Sequence, residues 1–469
     1  MTTLIPGQHV HLVGIGGTGL SAIARILLGK GFVVSGSDRA PNAQTAALER
    51  DGAAIFIGHD AAYVADADVV IISSAVPPDH VEVVAARARG IPVVKRSEII
   101  DAVTAGQDVI GIAGTHGKTT TTAMTVHILR QTGRDPSYII GGVLRDSGQN
   151  AGVGKGRAFV IEADEYDNMF HGLRPQVAVV NNVEWDHPDF FTTPEALTAS
   201  FARFVALLPD DGLLIACADD AGASALAATR RDRGLPVAIF GIVQRADWHA
   251  ANIAVTPEGG TRFDIMREGQ RVAAASLRLP GRHNVLNALA ATIAAHSQGV
   301  PPDEAAAALA DFEGTGRRFE LRAEIGGIAI VDDYAHHPTA IRTTLEAARA
   351  RYPGRALWAV WQPHTYSRTQ QLRSGYLGAF AAADHVLVTD IYAAREQPVP
   401  GVTSAALVAD LDHPDARHTP ALEDAVEALA RDVAAPAVVL IMSAGDAPRI
   451  GVELENRLRA REKASHGGA

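Results

Sequence analysis

A glycine-rich loop that ends in lysine and threonine has the composition of a phosphate-binding loop. The loop consists of Gly114, Thr115, His116, Gly117, Lys118, Thr119 and Thr120. It lies between a strand pattern and a helical pattern, where its backbone N–H groups can bind a triphosphate. Lys118 can neutralise the outer phosphates, and the Thr119 hydroxyl can bind Mg²⁺. Although Ile112 stands where the full Walker pattern has its first glycine, the sequence predicts ATP and Mg²⁺ as ligands.

A second glycine-rich loop, residues 14–19 with the sequence GIGGTG, follows the first predicted strand and begins a helix. Its glycines permit a tight turn and a close approach of backbone N–H groups to a pyrophosphate. Asp38, at the end of the second predicted strand, is placed to bind a ribose hydroxyl. Three interpretations are open: a dinucleotide cofactor, a nucleotide diphosphate that is a substrate, and a glycine turn that only packs helix against strand.

Acidic and amide side chains follow two further predicted strands. Residues 162–167 read EADEYD, and residues 181–187 read NNVEWDH. An acidic cluster is often only a solvated turn, but the carboxyl end of a parallel strand beside a phosphate-binding loop favours oxygen ligands for Mg²⁺. A lone His187 would more often be an ordinary surface or core histidine. Its position beside the acidic cluster favours contact with metal or phosphate.

Two polar loops that contain histidine end successive predicted strands in the last third of the chain. Residues 332–338 read DDYAHHP, and residues 362–369 read QPHTYSRT. Loops at neighbouring strand ends are typical of one wall of a binding cleft. Arg368 suits a carboxylate ligand because its guanidinium can donate two parallel hydrogen bonds. The alternative is a metal site on His336 and His337, which is disfavoured because adjacent residues cannot easily point at one ion.

The composition of the 469-residue chain is that of a multidomain globular protein. Hydrophobic residues make up 47 % and charged residues 20 %, and the net charge of −11 reflects 42 basic against 53 acidic residues. This acidic balance argues against a nucleic-acid partner. No apolar run approaches the roughly 20 residues of a membrane span, and residues 1–7 lack the pattern of a secretory signal. The single cysteine, Cys217, excludes an intramolecular disulfide, so we expect a cytoplasmic protein without a membrane partner.

The elements that must position these loops form three series of alternating strands and helices. Strand patterns occur at 10–13, 33–34, 69–72 and 92–94, at 109–112, 158–161, 177–180 and 213–215, and at 328–331, 357–360, 385–388 and 437–442. Alternation of apolar and polar residues predicts an antiparallel insert over 247–276. A linker is expected at 101–107, and the aperiodic stretch 313–318 indicates a second boundary.

The sequence therefore predicts an α/β protein with three domains in series. We expect a Rossmann-like domain over 1–106, a P-loop ATPase-like domain over 107–317 and a second Rossmann-like domain over 318–469. Charged and small residues over 461–469 predict a frayed end.

Eight motifs, taken in chain order, resemble those of the Mur ligase family. They are GIGGTG (14–19), GTHGKTT (114–120), EADE (162–165), NVEWDH (182–187), HNVLNALAA (283–291), GRRFE (316–320), DDYAHHP (332–338) and QPHTYSRT (362–369). The resemblance implies ATP-dependent ligation of L-alanine to the carboxylate of UDP-N-acetylmuramate through an acyl phosphate, the first peptide step of peptidoglycan precursor synthesis. The alternative is the branch of the family that adds a recycled murein tripeptide to the same UDP-sugar.

The resemblance also implies roles for individual residues. ATP would be bound by residues 114–120 with Asn284, Asn287, Arg318 and Asp333, Mg²⁺ by Thr119, Glu162 and His187, the amino acid by Tyr334, His336, His364 and Arg368, and the UDP portion by Gly14, Gly16, Gly17, Gly19, Asp38 and Ser73. The residues implied in catalysis are Lys118, Glu162, His187, Arg318 and His336. Either His336 or His364 could deprotonate the amine, and the sequence does not choose between them.

One departure from the family pattern concerns lysine. Several members use a carbamoylated lysine to support a second metal, but this chain has no lysine between Lys155 and Lys463. Two other classes of protein stay open. A nicotinamide dehydrogenase would leave residues 114–120 unused, and a regulatory ATPase would not explain the polar loops of the third domain. We expect a monomer or a weak homodimer.

Overall fold

Three β-sheets covered by helices follow one another along the chain. The structure, a computed structural model, describes residues 4–466. In this part of the chain, no helix combines the length and the apolarity that crossing a membrane requires. One hydrophobic cluster extends continuously through the first two sheets, and a separate, smaller cluster lies on the other face of the first sheet. The third sheet packs a separate cluster on each of its faces.

The first sheet is parallel and has the Rossmann-like order β3-β2-β1-β4-β5. Its strands are β1 (His9–Val13), β2 (Val33–Asp38), β3 (Ala54–Ile57), β4 (Val69–Ile72) and β5 (Val93–Lys95). Its helices are α1 (Thr18–Gly29), α2 (Ala43–Arg50), α3 (Val81–Ala88) and α4 (Arg96–Thr104), with a 3₁₀ turn over Ala61–Val64. The order of strands reverses between β1 and β4, which is where such sheets bind ligands. Residues 14–19 and Ser73 follow these two strands.

One prediction for this region is wrong, and one strand was not predicted. The linker predicted at 101–107 is mostly helix, because Ile99, Ile100 and Val103 form a buried face that carries α4 to Thr104. The sequence did not indicate β3, whose four residues are exposed or half-buried and form no buried apolar run.

The second sheet has ten strands in the order β15-β14-β13-β12-β11-β10-β6-β9-β7-β8. Its strands are β6 (Asp108–Ala113), β7 (Ser137–Ile139), β8 (Ala151–Gly152), β9 (Ala158–Glu162), β10 (Val177–Val180), β11 (Leu213–Cys217), β12 (Val237–Gly241), β13 (Trp248–Val255), β14 (Thr261–Arg267) and β15 (Gln270–Leu277). Its helices are α5 (Lys118–Gln131), α6 (Pro194–Val205), α7 (Ala221–Asp232), α8 (Arg282–His296) and α9 (Pro302–Leu309), with a 3₁₀ segment over Tyr166–Gly172.

The pairing within this sheet positions the predicted nucleotide site. Strands β9, β6 and β10 are parallel neighbours, so the phosphate-binding loop, the acidic cluster and residues 181–187 emerge at one edge of the sheet. The last three strands pair antiparallel, which confirms the predicted insert.

The third sheet has the order β16-β17-β21-β18-β19-β20. Its strands are β16 (Glu320–Ile325), β17 (Ile328–Asp333), β18 (Ala356–Trp361), β19 (His385–Val388), β20 (Ala416–His418) and β21 (Ala437–Met442). Its helices are α10 (Pro338–Arg351), α11 (Tyr366–Gln371), α12 (Arg373–Tyr376), α13 (Ser404–Asp410), α14 (Leu422–Asp432) and α15 (Pro448–His466). Strands β17 and β21 are buried throughout, as expected for parallel strands with helices on both faces. The antiparallel edge strand β16 was not predicted.

The α/β class with three domains in series is confirmed. The three sheets draw on residues 9–95, 108–277 and 320–442, and the division at 106/107 and 317/318 remains our proposal. A frayed end was predicted from residue 461, but the structure continues α15 as far as His466. Residues 467–469 lie outside the described part of the chain.

Candidate active site

One large cleft collects most of the predicted site residues. Its volume is about 930 Å³, and its walls include loops that follow β6, β9, β10, β17 and β18. The predicted residues in its lining are Gly19, Thr115, His116, Gly117, Lys118, Thr119, Thr120, Glu162, His187, Asn284, Asn287, Arg318, Asp333, Tyr334, His336, His364 and Arg368. The predicted residues outside its lining are Gly14, Gly16, Gly17, Asp38, Ser73 and Gly114.

The phosphate-binding loop turns sharply between β6 and α5. Gly114 and Gly117 have φ angles of +144° and +79°, in the region that favours glycine. A Cβ atom on Gly114 would lie 3.0 Å from the Cβ atom of Asn181, so the close approach of the next strand also requires glycine. Gly117 offers no side chain to cap α5, which leaves N–H groups of the first helical turn for an anion.

The ammonium group of Lys118 is held inside this loop. Its Nζ donates to the carbonyl oxygen of Gly114 at 2.6 Å and to Glu165 Oε1 at 2.9 Å. Burial opposes the charge, but the carboxylates of Glu165, Asp164 and Glu162 outweigh it and raise the pKa of Lys118. Glu165, which is 1 % exposed, balances this charge, and Nζ also donates to the carbonyl oxygen of Thr115 at 3.3 Å. Contact of Lys118 with phosphates stays a prediction.

Thr119 and Glu162 supply oxygen donors for the predicted Mg²⁺ site. Thr119 Oγ1 donates to Glu162 Oε1 at 3.1 Å, and Gly141 N donates to Glu162 Oε2 at 2.7 Å. Burial raises the pKa of Glu162 despite the nearby charge of Lys118, so a cation beside this carboxylate would be stabilising. Hard oxygen donors of this kind fit Mg²⁺. Arg318 Nη2 also donates to Thr119 Oγ1, at 3.3 Å.

His187, the third predicted ligand, contacts other carboxylates. Its Nε2 lies 3.5 Å from Glu165 Oε1, and its Nδ1 accepts a hydrogen bond from Arg368 Nη2 at 3.4 Å. Burial disfavours its charge, but the carboxylates of Asp186 and Glu165 raise the pKa of His187. The structure thus joins Thr119 with Glu162, and the role of His187 as a ligand stays a prediction.

Asn284 and Asn287 lie together at the start of α8. Asn287 Nδ2 donates to Asn284 Oδ1, and Thr121 Oγ1 donates to Asn287 Oδ1, each at 3.2 Å. Asn181 Nδ2 donates to the same threonine hydroxyl at 3.0 Å. This network fixes both amides between α5 and α8 in the cleft wall. Their predicted place beside adenine stays a prediction.

Arg317 and Arg318, which immediately precede the third sheet, both contact the aromatic ring of Tyr334. The guanidinium carbons of Arg317 and Arg318 each lie 5.0 Å from the ring centroid of Tyr334. The carboxylate of Asp333 accepts backbone N–H bonds from Phe319 and Ala335, both at 2.7 Å. Asp333 therefore ties this segment to the loop after β17. Contact of Asp333 with a ribose stays a prediction.

The two candidate bases differ in which ring nitrogen is free. His336 Nδ1 lies 2.8 Å from the carbonyl oxygen of Tyr334, so Nδ1 carries the proton and Nε2 is the basic nitrogen. His364 Nδ1 accepts from Arg368 Nη1 at 3.0 Å, so its Nε2 carries the proton. Burial and the charge of Arg368 lower the pKa of both rings, that of His364 to about 4. Both rings are therefore neutral, and of the two only His336 keeps a ring nitrogen, Nε2, that is free to accept a proton.

Arg368 is buried and engaged by both the second and the third domain. Its Nε donates to Asp186 Oδ1 at 2.7 Å, and its Nη1 donates to the carbonyl oxygen of His364 at 2.8 Å. Both members of the ion pair are 5 % exposed. With the bonds to the ring nitrogens of His364 and His187, four of the five guanidinium N–H groups have acceptors. One N–H therefore remains for a substrate carboxylate, instead of the open fork that the sequence predicts.

The loop predicted to bind UDP lies at the crevice of the first sheet. Gly16 N donates to Asp38 Oδ2 at 2.8 Å, and Asn42 Nδ2 donates to the carbonyl oxygen of Gly16 at 3.3 Å. Gly19 reaches the large cleft, which Arg96 also lines. The structure thus brings Gly16 and Asp38 together, and their contact with UDP stays a prediction.

Three acidic residues have contacts that the sequence analysis did not assign. Glu165 and Asp186 pair with the two cations described above. Glu184 lies 2.7 Å from His116 Nε2 through one oxygen and accepts from Thr339 Oγ1 at 2.6 Å through the other. Burial disfavours the charged form of Glu184, yet the hydrogen bond with His116 helps to lower the pKa of Glu184 to about 2. All three lie in motifs at strand ends, which was the available signal, but the sequence could not give their partners.

Models of Mur ligase domains match three consecutive parts of the chain. The Mur ligase family catalytic domain matches residues 9–107, the Mur ligase middle domain matches residues 112–295, and the Mur ligase glutamate ligase domain matches residues 317–445. The chain belongs to the Mur ligase family.

Individual relatives narrow the comparison within the family. The chain is 42 % identical over 470 residues to the UDP-N-acetylmuramate–L-alanine ligase of Renibacterium salmoninarum, and the match covers 98 % of each chain. Its fold is similar to that of UDP-N-acetylmuramate-alanine ligase MurC from Thermotoga maritima, with a TM-score of 0.79 and 26 % sequence identity. This match covers 97 % of the present chain and 99 % of the relative. Its fold is also similar to that of a murein peptide ligase from Psychrobacter arcticus, with a TM-score of 0.72 and 29 % sequence identity. This match covers 96 % of the present chain and 99 % of the relative. Both branches of the family weighed from the sequence therefore share this fold.

Proposed function

We propose that the protein ligates L-alanine to the carboxylate of UDP-N-acetylmuramate while ATP is converted to ADP and phosphate. The proposal rests on one observation: the phosphate-binding loop and the polar loops after β17 and β18 line the same cleft. The similarity to a relative named for this activity, over nearly its whole length, supports the choice of substrates. Ligation of a murein tripeptide is the alternative. We further propose a cytoplasmic location, where ATP is available, and a monomer or a weak homodimer.

Amide formation from a carboxylate ion is unfavourable in water, so the carboxylate must first be activated. A carboxylate oxygen forms a bond to the γ-phosphorus of ATP while the bond to the β–γ bridging oxygen breaks and ADP leaves. The amine of alanine then attacks the acyl carbon, and inorganic phosphate leaves. Lys118 and Arg318, which both line the cleft, would offset negative charge on the transferred phosphoryl group.

Thr119 and Glu162 would hold Mg²⁺, with His187 as a third ligand. When bound, the ion supplies charge neutralisation at the phosphates. The chain's own residues do the remaining work. Lys118 orients the outer phosphates, and the cleft between the second and third domains excludes water from the acyl phosphate. His336 Nε2 accepts the proton that the ammonium group of alanine must lose before attack.

Release of phosphate from ATP with UDP-N-acetylmuramate and a panel of amines tests the proposal. We expect release to need both the UDP-sugar and an amine, with free L-alanine preferred. Faster turnover with L-Ala-γ-D-Glu-meso-diaminopimelate would favour the tripeptide branch. Release that needs neither substrate would favour a regulatory ATPase, and a change in absorbance on mixing with NAD would favour a dehydrogenase.

His336→Gln should lower kcat by at least tenfold with little change in the KM for ATP. General-base catalysis typically contributes about 10²- to 10⁴-fold, and glutamine keeps the size of the side chain but not its basic nitrogen. His364→Gln is the matched control, since the structure gives His364 no free basic nitrogen. Initial rates of phosphate release measure both variants. An equal loss of kcat in the two would contradict the assignment of the base to His336.

Ligation should not depend on bicarbonate. The carbamoylated lysine of other family members would lie a little past Asp186 and His187, and the stretch between Lys155 and Lys463 contains no lysine. Rates measured in degassed buffer and after addition of bicarbonate should be equal. A mass increase that corresponds to lysine carbamate on a peptide from the cleft would refute this expectation.

A further inference from the structure

Tyr166 and Asp189 of the second domain meet Arg395 of the third domain. The Tyr166 hydroxyl donates to Asp189 Oδ2 at 2.9 Å, and Arg395 Nη2 lies 3.2 Å from the same oxygen. The guanidinium carbon of Arg395 lies 4.8 Å from the ring centroid of Tyr166, and Arg395 Nη2 also contacts the Tyr166 hydroxyl. We call these three residues the Arg395 bridge.

The third-domain side of the Arg395 bridge is anchored on the loop after β18. Glu396 accepts hydrogen bonds from Thr365 Oγ1 at 2.7 Å and from Ser367 N at 2.8 Å. Tyr392 N donates to the carbonyl oxygen of Pro363 at 2.8 Å. The segment 392–396 therefore lies beside the loop that presents the predicted amino-acid contacts, and it positions Arg395 against the second domain.

The second-domain side of the Arg395 bridge is equally close to the site. The ring of Tyr166 lies 5.1 Å from that of His187, which accepts a hydrogen bond from Arg368. Arg395 lines the same cleft as His364 and Arg368. Arg395 is thus part of the cleft wall in the region where the amine is predicted to bind, and the bridge crosses from one domain to the other.

We propose that the Arg395 bridge limits the length of the amine acceptor. With the bridge formed, the end of the cleft beside His364 and Arg368 is closed, so a single amino acid fits and an acceptor extended at its carboxyl end does not. This inference rests on the proposed function, because it assumes that the amine binds in this part of the cleft. It names the structural element that separates a ligase for a free amino acid from a ligase for peptides.

The energetics of the bridge fit a steric role. The side chain of Arg395 is 54 % exposed, and ion pairs this exposed contribute little to stability. Removing Arg395 should therefore open the cleft without unfolding the chain. The buried pair of Arg368 and Asp186 holds the two domains together independently of the bridge.

The test compares kcat/KM for L-alanine and for L-alanyl-L-alanine, with UDP-N-acetylmuramate and ATP, in the full chain. We expect Arg395→Ala to shift the ratio at least tenfold toward the dipeptide, and Arg395→Lys, which keeps a cation for Asp189, to shift it less. The matched control is Arg373→Ala, which removes an exposed pair with Asp410 in the same domain and should leave the ratio unchanged.

The outcomes separate the two proposals. If the wild type uses L-alanine and Arg395→Ala leaves the ratio of the two kcat/KM values unchanged, only the length limit is overturned. An equal loss of kcat/KM for both acceptors in Arg395→Ala would also overturn it, because a bridge with a purely structural role would give that result. Failure of the wild type to use L-alanine would overturn the proposed function and the length limit with it.

Discussion

Lys118→Ala is expected to abolish ATP-dependent ligation, with less than a tenth of the wild-type turnover remaining. The ammonium group is the cation held closest to the phosphate-binding loop, within 2.6 Å of the carbonyl oxygen of Gly114. Loss of one preorganised donor to a charged transition state typically costs about 3–4 kcal/mol. Initial rates of phosphate release with UDP-N-acetylmuramate and L-alanine measure the effect. A variant that kept more than a tenth of the turnover would contradict the assignment of the ATP site.

The same substitution also removes the partner of a buried carboxylate, so stability must be measured beside activity. Among the residues that the structure describes, Glu165 would keep His187 as a nearby cationic partner. Breaking a buried ion pair by removing one member costs about 3–5 kcal/mol. The double variant Lys118→Ala/Glu165→Gln removes that charge. We expect it to recover the melting temperature of the wild type more closely than the single variant, while ligation stays absent. Activity that returned together with stability would show that Lys118 acts only in folding.

The location of the site could be predicted from the sequence because one physical rule relates the position of a motif along the chain to its position in the fold. Parallel strands bring their carboxyl ends to a common edge, and the polar segments after β6, β9 and β10 could therefore be assigned to one site before any coordinates were known. The same rule placed the loops after β17 and β18 together. Continuous apolar runs identified most of the strands that carry these loops.

Pairings between domains could not be predicted in this way. Arg368 and Asp186 are 182 residues apart, and no periodicity or spacing links residues that meet only when two domains pack. For this reason the sequence predicted that Arg368 binds a substrate carboxylate and did not predict its ion pair with Asp186. Short or exposed elements were missed on other grounds: β3 is a half-exposed strand, and β16 has a mixed pattern that includes exposed charges.

Arg368→Ala should raise the KM for L-alanine at least tenfold while the KM for ATP changes little. One guanidinium N–H is free for the carboxylate of alanine, and the others orient His364 and hold Asp186. An unpaired carboxylate in such a pocket binds weakly. Thr365, which stands where some relatives carry arginine, bonds Glu396 instead, so this chain has no second arginine at that position to take over the contact.

Arg368→Ala also leaves the buried carboxylate of Asp186 without its ion-pair partner, so the melting temperature is a second measurement for this prediction. Asp186 would lose its buried partner, which costs about 3–5 kcal/mol, so the melting temperature should fall together with alanine affinity. Arg368→Lys separates the two effects, because an ammonium group can still pair with Asp186 but cannot also reach His364 and the substrate. We expect it to retain more of the stability and yet to keep the raised KM for L-alanine. A KM that returned to the wild-type value in Arg368→Lys would assign Arg368 to holding the two domains together and leave the alanine carboxylate to another residue of the cleft.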